Sequence, residues 1–163
     1  MPEILDIINM DDQVIGQATR EDVYAQKHMH RIIHVIVRDS AGRFLLQIRS
    51  ETVKYLPLHW STAVGGHVQT GETYEAAAWR ELEEEIGITG GELREVGKFL
   101  YEKDDGLKKY LTIFELITDE NIRVGEEVSS TQFFTPEEAH KLINTHDKIH
   151  PELTFLWEKL YTI

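Results

Sequence analysis

The chain has 163 residues, with 17 Lys and Arg against 29 Asp and Glu, a formal net charge of −12, and no cysteine. This length suits one domain with its own apolar core, and the missing cysteines exclude a disulfide scaffold, a cysteine zinc site and a thiol nucleophile. The negative charge argues against nucleic acid or an anionic membrane as a partner. We expect a single domain over residues 1–163 in the cytoplasm, because no signal peptide or membrane-spanning apolar run is visible.

The first part of the chain is predicted to be rich in strands. Residues 4–9 form a short apolar run that predicts an edge strand, and residues 20–27 predict a short helix or a loop. Residues 32–37 and 44–48 are apolar runs on either side of an Asp-rich turn with a glycine, which predicts a hairpin. Because both runs are almost continuously apolar, we expect this hairpin to be covered on both faces.

The middle of the chain contains the clearest helix. Residues 60–64 predict a further strand that ends at Gly65 and Gly66, and residues 73–86 predict a helix that stops at Gly87. Residues 93–101 and 110–117 then predict a second antiparallel pair, joined by a polar turn.

The last part predicts one strand and two helices. Residues 129–134 predict the strand, Thr135 is the expected N-cap of the next helix with Pro136 in its first turn, and residues 151–161 predict the final helix. Strands and helices alternate without a regular βαβ rhythm, so the order favours an α/β fold with a mixed sheet and helices on both sides.

The predicted helix over residues 73–86 carries an unusual face of acids. Six of the 29 acids fall within residues 72–85, and Glu81, Glu84 and Glu85 share one face because they stand at i, i+3 and i+4. Carboxylates near a helix C-terminus repel each other and oppose the helix dipole. A solvated acidic surface is the ordinary explanation, but a bound cation compensates such a face most simply. Oxygen ligands favour Mg²⁺ or Mn²⁺ over zinc.

The spacing around this helix resembles the Nudix box. The match runs through Gly66, Glu72, the Arg80-Glu81-Leu82 triplet, the Glu84-Glu85 pair and Gly87-Ile88. The resemblance implies an α/β/α sandwich with a mixed sheet, in which the box forms a loop–helix–loop. It implies a Mg²⁺-dependent hydrolase that cleaves a nucleoside diphosphate linked to another moiety, by attack of metal-activated water on phosphorus. Glu81, Glu84, Glu85 and the carbonyl of Gly66 would hold the metal, and Arg80 would orient a glutamate by pairing with Glu72.

A second, less specific resemblance extends over most of the chain. The N-terminal segment with His28 and His30, and the later segment from Gly125 to Glu138, are similar to the isopentenyl-diphosphate-isomerase-like branch of the superfamily. In that branch an acidic residue before the late strand reaches the active site, which implies Glu127, and less strongly Glu126, as a distal metal ligand or general base. Isomerase chemistry itself is not favoured, because Gly65 stands where the isomerases have a cysteine.

Several further residues are hypotheses for contact with a small-molecule diphosphate substrate. His67 follows the box glycine, His30 opens a strand, and Arg49 ends one, although His30 could be an edge residue and Arg49 a surface partner of Glu51. The three late histidines are expected to be solvated; they are His140, His146 and His150. The leaving group, the general base and the choice between monomer and homodimer stay open. An isomerase and a catalytically idle nucleotide-binding module remain the alternatives.

Overall fold

The structure is a computed structural model, and it describes residues 2–161. Its elements, in chain order, are β1 (Ile4–Ile8), β2 (Val14–Thr19), α1 (Arg20–Ala25), β3 (His30–Arg38), β4 (Phe44–Arg49), β5 (Trp60–Thr62), β6 (Val64–His67), α2 (Tyr74–Ile86), β7 (Leu93–Glu102), β8 (Lys108–Ile117), β9 (Val128–Phe134), α3 (Pro136–Thr145) and α4 (Pro151–Leu160).

Strand β3 is the centre of a mixed seven-stranded sheet. It runs parallel to β8 along its whole length, from the pair His30–Lys109 to the pair Arg38–Ile117. Its other edge is shared by two antiparallel neighbours, β6 and β4. Strand β4 also pairs with β5 and β9, and β7 pairs with β8 at the far edge. The two predicted antiparallel pairs, β3 with β4 and β7 with β8, are therefore confirmed.

Helices cover both faces of this sheet, as the sequence predicts. Successive residues of a strand point to opposite faces, so Ile33 of β3 packs in the same cluster as Leu82 and Ile86 of α2. On the other face Ile32 packs in a second cluster with Leu156 of α4. The fold is the expected α/β/α sandwich. None of the helices within residues 2–161 combines the length and the apolar character needed to span a bilayer.

Two strand predictions need correction. Strand β2 is absent from the predicted elements, because its residues show no apolar alternation, and three of the six are exposed while the others are partly buried. It is a strand because it pairs with β1 in a separate two-stranded sheet. The predicted strand over residues 60–64 is in fact two strands, β5 and β6. Gly65 and Gly66 lie inside β6, opposite His34 and Ile33, and do not end a strand.

Helix α2 is fixed at both ends by local chemistry. The Thr73 side chain accepts a hydrogen bond from the backbone N–H of Ala76, and Gly87 ends the helix in the left-handed conformation with φ +73°. Beyond that end, the backbone N–H groups of Arg123 and Gly125 donate to the carbonyls of Ile86 and Glu85. The segment that leads into β9 is thereby held against the C-terminal turn of α2.

Candidate active site

A cavity of about 820 Å³ opens beside α2, and it collects nearly all of the residues predicted for the site. The predicted residues that line it are Arg49, Gly66, His67, Arg80, Glu81, Glu84, Glu85 and Glu127. Glu126 lines it as well. His30 lies behind the wall of the cavity, in contact with the ring of His67. Residues from distant parts of the chain thus meet in one place.

Two of the three box carboxylates are buried side by side. Glu81 and Glu85 are only 7% and 6% exposed, whereas Glu84 is an exposed side chain at the rim. The Glu85 carboxylate accepts hydrogen bonds from Gln47 Nε2 at 2.7 Å and from the backbone N–H of Gly65 at 3.3 Å. Burial, followed by the charge of Glu81, raises the pKa of Glu85 well above its ordinary value. Burial also raises the pKa of Glu81.

Arg80 holds Glu81 in place. Its guanidinium donates to both carboxylate oxygens of Glu72, at 2.7 and 2.9 Å, and to Glu81 Oε1 at 2.7 Å. Arg80 Nη2 also donates to the backbone carbonyl of His67 at 3.1 Å, and Glu84 Oε2 lies 3.5 Å from Arg80 Nη1. The ion pair with Glu72 is the one that the resemblance implied. Because its donors are occupied within the box, Arg80 positions carboxylates and is not free to clamp a phosphate.

Gly66 is required by the close approach of Glu81. A Cβ atom at position 66 would lie 2.4 Å from Glu81 Cδ, which is shorter than any tolerated contact. A side chain there would push the Glu81 carboxylate out of its position between Arg80 and the sheet. Glycine at position 66 therefore leaves space for the buried Glu81 carboxylate and is not needed there to form a turn.

The donor set fits a hard divalent cation, although it is not preassembled around one. Among residues 2–161, no three His, Asp or Glu side chains converge closely enough to hold a metal ion as they stand. Glu84 Oε2 lies 3.5 Å from the guanidinium of Arg80. Of the two buried carboxylates, only that of Glu81 has an ion-pair partner within residues 2–161, and this partner is the same guanidinium. Mg²⁺ and Mn²⁺ prefer carboxylate oxygens as ligands, and these carboxylates outnumber the cationic side chains beside them. A divalent cation bound here would offset the burial and the charge repulsion that raise the pKa of Glu85.

Glu127 lines the same cavity as the box carboxylates. Its backbone carbonyl accepts from the N–H of Ser50 at 3.0 Å, and Gly125 two residues earlier is bonded to α2. A Cβ atom at Gly125 would lie 2.0 Å from the carbonyl oxygen of Glu84, so this close packing also depends on glycine. The charge of Glu127 contributes to the raised pKa of Glu85.

Arg49 brings a guanidinium without a carboxylate partner into the cavity. It donates to the backbone carbonyl of Tyr55 at 2.9 Å and to that of Leu56 at 3.2 Å. No carboxylate oxygen within residues 2–161 lies closer to it than 4.0 Å, so the alternative pairing with Glu51 is absent from the described chain. Burial lowers its pKa, although nearby carboxylates oppose this effect.

His67 and His30 form a neutral stacked pair, with ring centroids 5.6 Å apart. Burial lowers the pKa of His30 to about 4 and holds the pKa of His67 well below its ordinary value. Tyr24 Oη lies 2.7 Å from His67 Nε2, and burial raises the pKa of Tyr24, so its hydroxyl keeps its proton and can either donate to Nε2 or accept from it, according to the tautomer of His67. His30 is fully buried and is not an edge residue at the surface.

The sequence reading missed a buried polar network at the base of the cavity. Glu152 of α4 accepts from Lys109 Nζ at 3.0 Å and lies 2.8 Å from His34 Nε2, and His34 Nδ1 lies 2.7 Å from Thr62 Oγ1. Lys109, Glu152 and His34 all line the cavity. The only sequence signal was one lysine and one histidine, Lys109 and His34, inside largely apolar strands, and their partner Glu152 is far away in the chain.

The expectation that His150 is solvated is wrong. Its side chain is buried and caps α4, because its Nδ1 accepts from the backbone N–H of Glu152 at 3.0 Å. Burial lowers the pKa of His150 to about 4, which keeps the ring neutral and able to accept this bond.

Comparison with known proteins gives a consistent picture. The model of the NUDIX domain family matches residues 28–155. The chain is 38% identical over 137 residues to the uncharacterized Nudix hydrolase YfcD of Salmonella typhi, covering 83% of this chain and 74% of that protein. It is 38% identical over 136 residues to the uncharacterized Nudix hydrolase SCO1686 of Streptomyces coelicolor, covering 83% and 75%.

Solved structures agree with the sequence matches. The crystal structure of DR0079 from Deinococcus radiodurans superimposes with a TM-score of 0.85 at 28% identity, over 98% of this chain and 99% of that one. The NUDIX domain of Shewanella oneidensis NrtR, complexed with ADP ribose, superimposes with a TM-score of 0.66 at 12% identity, over 87% and 96%. The second likeness concerns the fold alone.

Proposed function

The chain belongs to the Nudix hydrolase family of enzymes, and from this premise we propose that it is a Mg²⁺-dependent hydrolase of a nucleoside diphosphate linked to another moiety. Mn²⁺ is the alternative metal. The observation that carries the proposal is the buried carboxylate pair in the wall of a cavity of about 820 Å³, in which Arg80 pairs with Glu81 and Gln47 donates to Glu85. That volume is in the range of sites for ligands of this size.

The metal ligands in this proposal are Glu81, Glu84, Glu85 and the carbonyl of Gly66. When bound, the metal offsets the charge of the diphosphate and lowers the pKa of water. Arg80 keeps Glu81 oriented through their 2.7 Å ion pair, and Glu84, exposed at the rim, is free to turn from Arg80 toward the ligand cluster. The residues of this group that touch the reacting atoms are Glu81 and Glu84, with Arg80 as the positioning residue.

We assign Glu127 the role of general base or distal metal ligand, with Glu126 as the second choice. Its support is its place in the cavity wall and its electrostatic effect on Glu85. Arg49 is proposed to bind phosphoryl oxygens of the substrate, because its half-buried guanidinium lacks a carboxylate partner among the described residues. His67 is proposed to contact the substrate through its imidazole ring, while His30 stacks on that ring.

Three broader properties belong to the same proposal. The single domain over residues 1–163 is supported by the packing of the β1–β2 sheet, since Leu5 is buried and forms a bridge with Gln69. A cytoplasmic location and a small-molecule substrate in place of nucleic acid are favoured by the acidic, cysteine-free composition. A monomer or a homodimer is expected.

The deciding experiment compares the wild-type enzyme with Glu84→Gln on a panel of nucleoside diphosphate derivatives and isopentenyl diphosphate, with and without Mg²⁺. Products are identified by mass spectrometry. We expect metal-dependent cleavage by the wild type and a loss of several orders of magnitude in the variant, with unchanged folding. Glu92→Gln, an exposed glutamate outside the cavity, is the matched control.

Other outcomes of this panel have defined meanings. Equal turnover by Glu84→Gln would refute the assignment of the metal-binding face. Isomerised isopentenyl diphosphate would overturn the argument from Gly65, and stabilisation by a nucleotide without turnover would identify an idle binding module. Glu127→Gln separates the two roles of Glu127: a lower rate with a changed pH profile identifies the base, and an unchanged profile with weaker metal binding identifies a ligand.

A further inference from the structure

Three cationic side chains lie near Tyr24, in a part of the cavity wall that is not formed by helix α2. Lys109 Nζ lies 5.3 Å and Lys103 Nζ 5.9 Å from the centroid of the Tyr24 ring. Lys103 also lies 5.0 Å from the centroid of Tyr55, so its ammonium stands between two aromatic rings. Arg20, four residues before Tyr24, lines the same cavity as these lysines. We call Arg20, Lys103 and Lys109 the cation cluster.

The members of the cation cluster differ in how well they are neutralised. Lys109 is buried and paired with Glu152 at 3.0 Å. Arg20 has a looser partner, Glu3 at 3.6 Å, and their side chains are 46% and 24% exposed, so solvent screens this pair strongly. Lys103 has no carboxylate oxygen within 4.0 Å among residues 2–161. Lys103 is therefore the cation with most capacity for an external anion.

The cation cluster and the box carboxylates are two separate parts of one cavity. The link between them is the hydrogen bond between Tyr24 and His67, the residue that follows Gly66. Near the box, five glutamates outnumber the two guanidinium groups of Arg80 and Arg49; these are Glu81, Glu84, Glu85, Glu126 and Glu127. A phosphate there needs a metal to approach. Around Tyr24 the three cations balance the three acids Glu3, Glu21 and Glu152, so the capacity to bind an anion lies in the ammonium of Lys103, which no carboxylate of the described chain pairs.

We propose that the cation cluster is a second anion subsite, which binds a phosphoryl group that the substrate carries in addition to the diphosphate that is cleaved. The inference rests on the proposed function, since it names the class of substrate: a nucleoside diphosphate derivative with a further phosphate. A phosphoryl group suits the subsite because it brings close to two negative charges and several acceptor oxygens. Lys103, which is partly exposed and has no carboxylate partner among the described residues, and the exposed Arg20 can donate to these oxygens beside the fixed ammonium of Lys109.

Binding of inorganic phosphate to the metal-free protein tests the subsite without catalysis. Calorimetric titration in the presence of a chelator is carried out on the wild type, Lys103→Gln, Arg20→Gln and the control Lys141→Gln. Lys141 is an exposed lysine of α3 outside the cavity, so the control has the same change in net charge. We expect Kd to rise about tenfold in Lys103→Gln, about 1.4 kcal/mol, to rise less in Arg20→Gln, and to stay unchanged in Lys141→Gln. Wild-type affinity in Lys103→Gln, or no phosphate binding by the wild type, would overturn the proposal.

Kinetics on matched substrates give a second readout. NADPH and NADH differ by one phosphoryl group, as do nucleoside triphosphates and diphosphates. For the member of a pair with the extra phosphate, Lys103→Gln is expected to raise KM with little change in kcat, because the residue contributes binding and not chemistry. For the other member it is expected to change neither. An equal rise in KM for both members of every pair would contradict an additional subsite.

The two proposals can fail independently. Phosphate binding that depends on Lys103 in a protein that hydrolyses nothing would refute the hydrolase and leave the anion subsite. Metal-dependent hydrolysis, combined with a phosphate affinity that is unchanged in Lys103→Gln, would refute the subsite and leave the hydrolase. Lys103 lies in the turn after β7 and is partly exposed, so its substitution is compatible with the fold.

Discussion

Replacement of Glu152 by glutamine should destabilise the protein by about 3 kcal/mol. Glu152 and Lys109 have side chains that are 6% and 5% exposed, so solvent does not screen their 3.0 Å ion pair. Removal of one partner from a buried pair costs about 3–5 kcal/mol, since the other charge stays buried without compensation. Glutamine retains one oxygen that accepts from Lys109, so the lower end of the range applies. For a chain of this size, this corresponds to a fall in Tm of roughly 6–12 °C.

The assay is urea unfolding at neutral pH, followed by circular dichroism, with thermal unfolding as a second measure. Glu92→Gln is the control and should stay within about 0.5 kcal/mol of the wild type. The double variant Lys109→Met, Glu152→Gln should recover most of the loss, because it removes the uncompensated charge. A loss below about 1 kcal/mol for Glu152→Gln, or no recovery in the double variant, would refute the reasoning that this pair balances its own buried charges.

The same pair predicts a pH dependence. Burial alone would raise the pKa of Glu152, but the charge of Lys109 and the hydrogen bond from His34 outweigh it and hold the pKa well below the ordinary value of 4.5. A lowered pKa means that the stabilisation is complete above pH 4.5 and is lost as the pH falls through the folded-state value. The gap in stability between the wild type and Glu152→Gln should therefore be constant from neutral pH down to about 4.5 and shrink below it.

Two further changes test the box and the attachment of the β1–β2 sheet. Gly66→Ala should weaken Mg²⁺ binding and turnover, because the new methyl group displaces the Glu81 carboxylate. Gly90→Ala, which meets nothing within 4 Å, is the control, and equal Mg²⁺ affinity in calorimetry would contradict the prediction. Asp12→Asn should cost about 2 kcal/mol in urea unfolding at pH 7, because Arg31, Lys98 and Tyr74 all bond its carboxylate. Burial alone would raise the pKa of Asp12, but these bonds outweigh burial and lower it. The difference in unfolding free energy between the wild type and Asp12→Asn should therefore shrink below pH 3.8, and a difference that does not change with pH would contradict this prediction.

Local signals made the helices and the box predictable from sequence. Thr73 and Gly87 mark the ends of α2, and Thr135 with Pro136 marks the start of α3, since capping depends on neighbours within four residues. The ion pair of Arg80 with Glu72 followed from the resemblance to the Nudix box, and the structure contains it. These features need no knowledge of the tertiary contacts.

Features that depend on distant partners were not predictable in the same way. Strand β2 has no apolar alternation, and it is a strand because β1 pairs with it. Glu152 lies 118 residues after His34 and 43 after Lys109, so no spacing rule connects them. His150 gave no sign of burial in the sequence, because it stands between Ile149 and Pro151 just after the polar residues 144–148. The base of the cavity is therefore a property of the assembled sheet and helices.

The position of Glu152 on α4 also sets the order in which a newly made chain can complete its cavity. A chain leaves the ribosome from its N-terminal end, so Lys109 emerges 43 residues before its counter-ion. Until α4 follows, β8 carries an ammonium that is costly to bury next to the central strand β3. During synthesis, the burial of Lys109 therefore waits for α4, and the cavity reaches its final form only when α4 packs against the sheet.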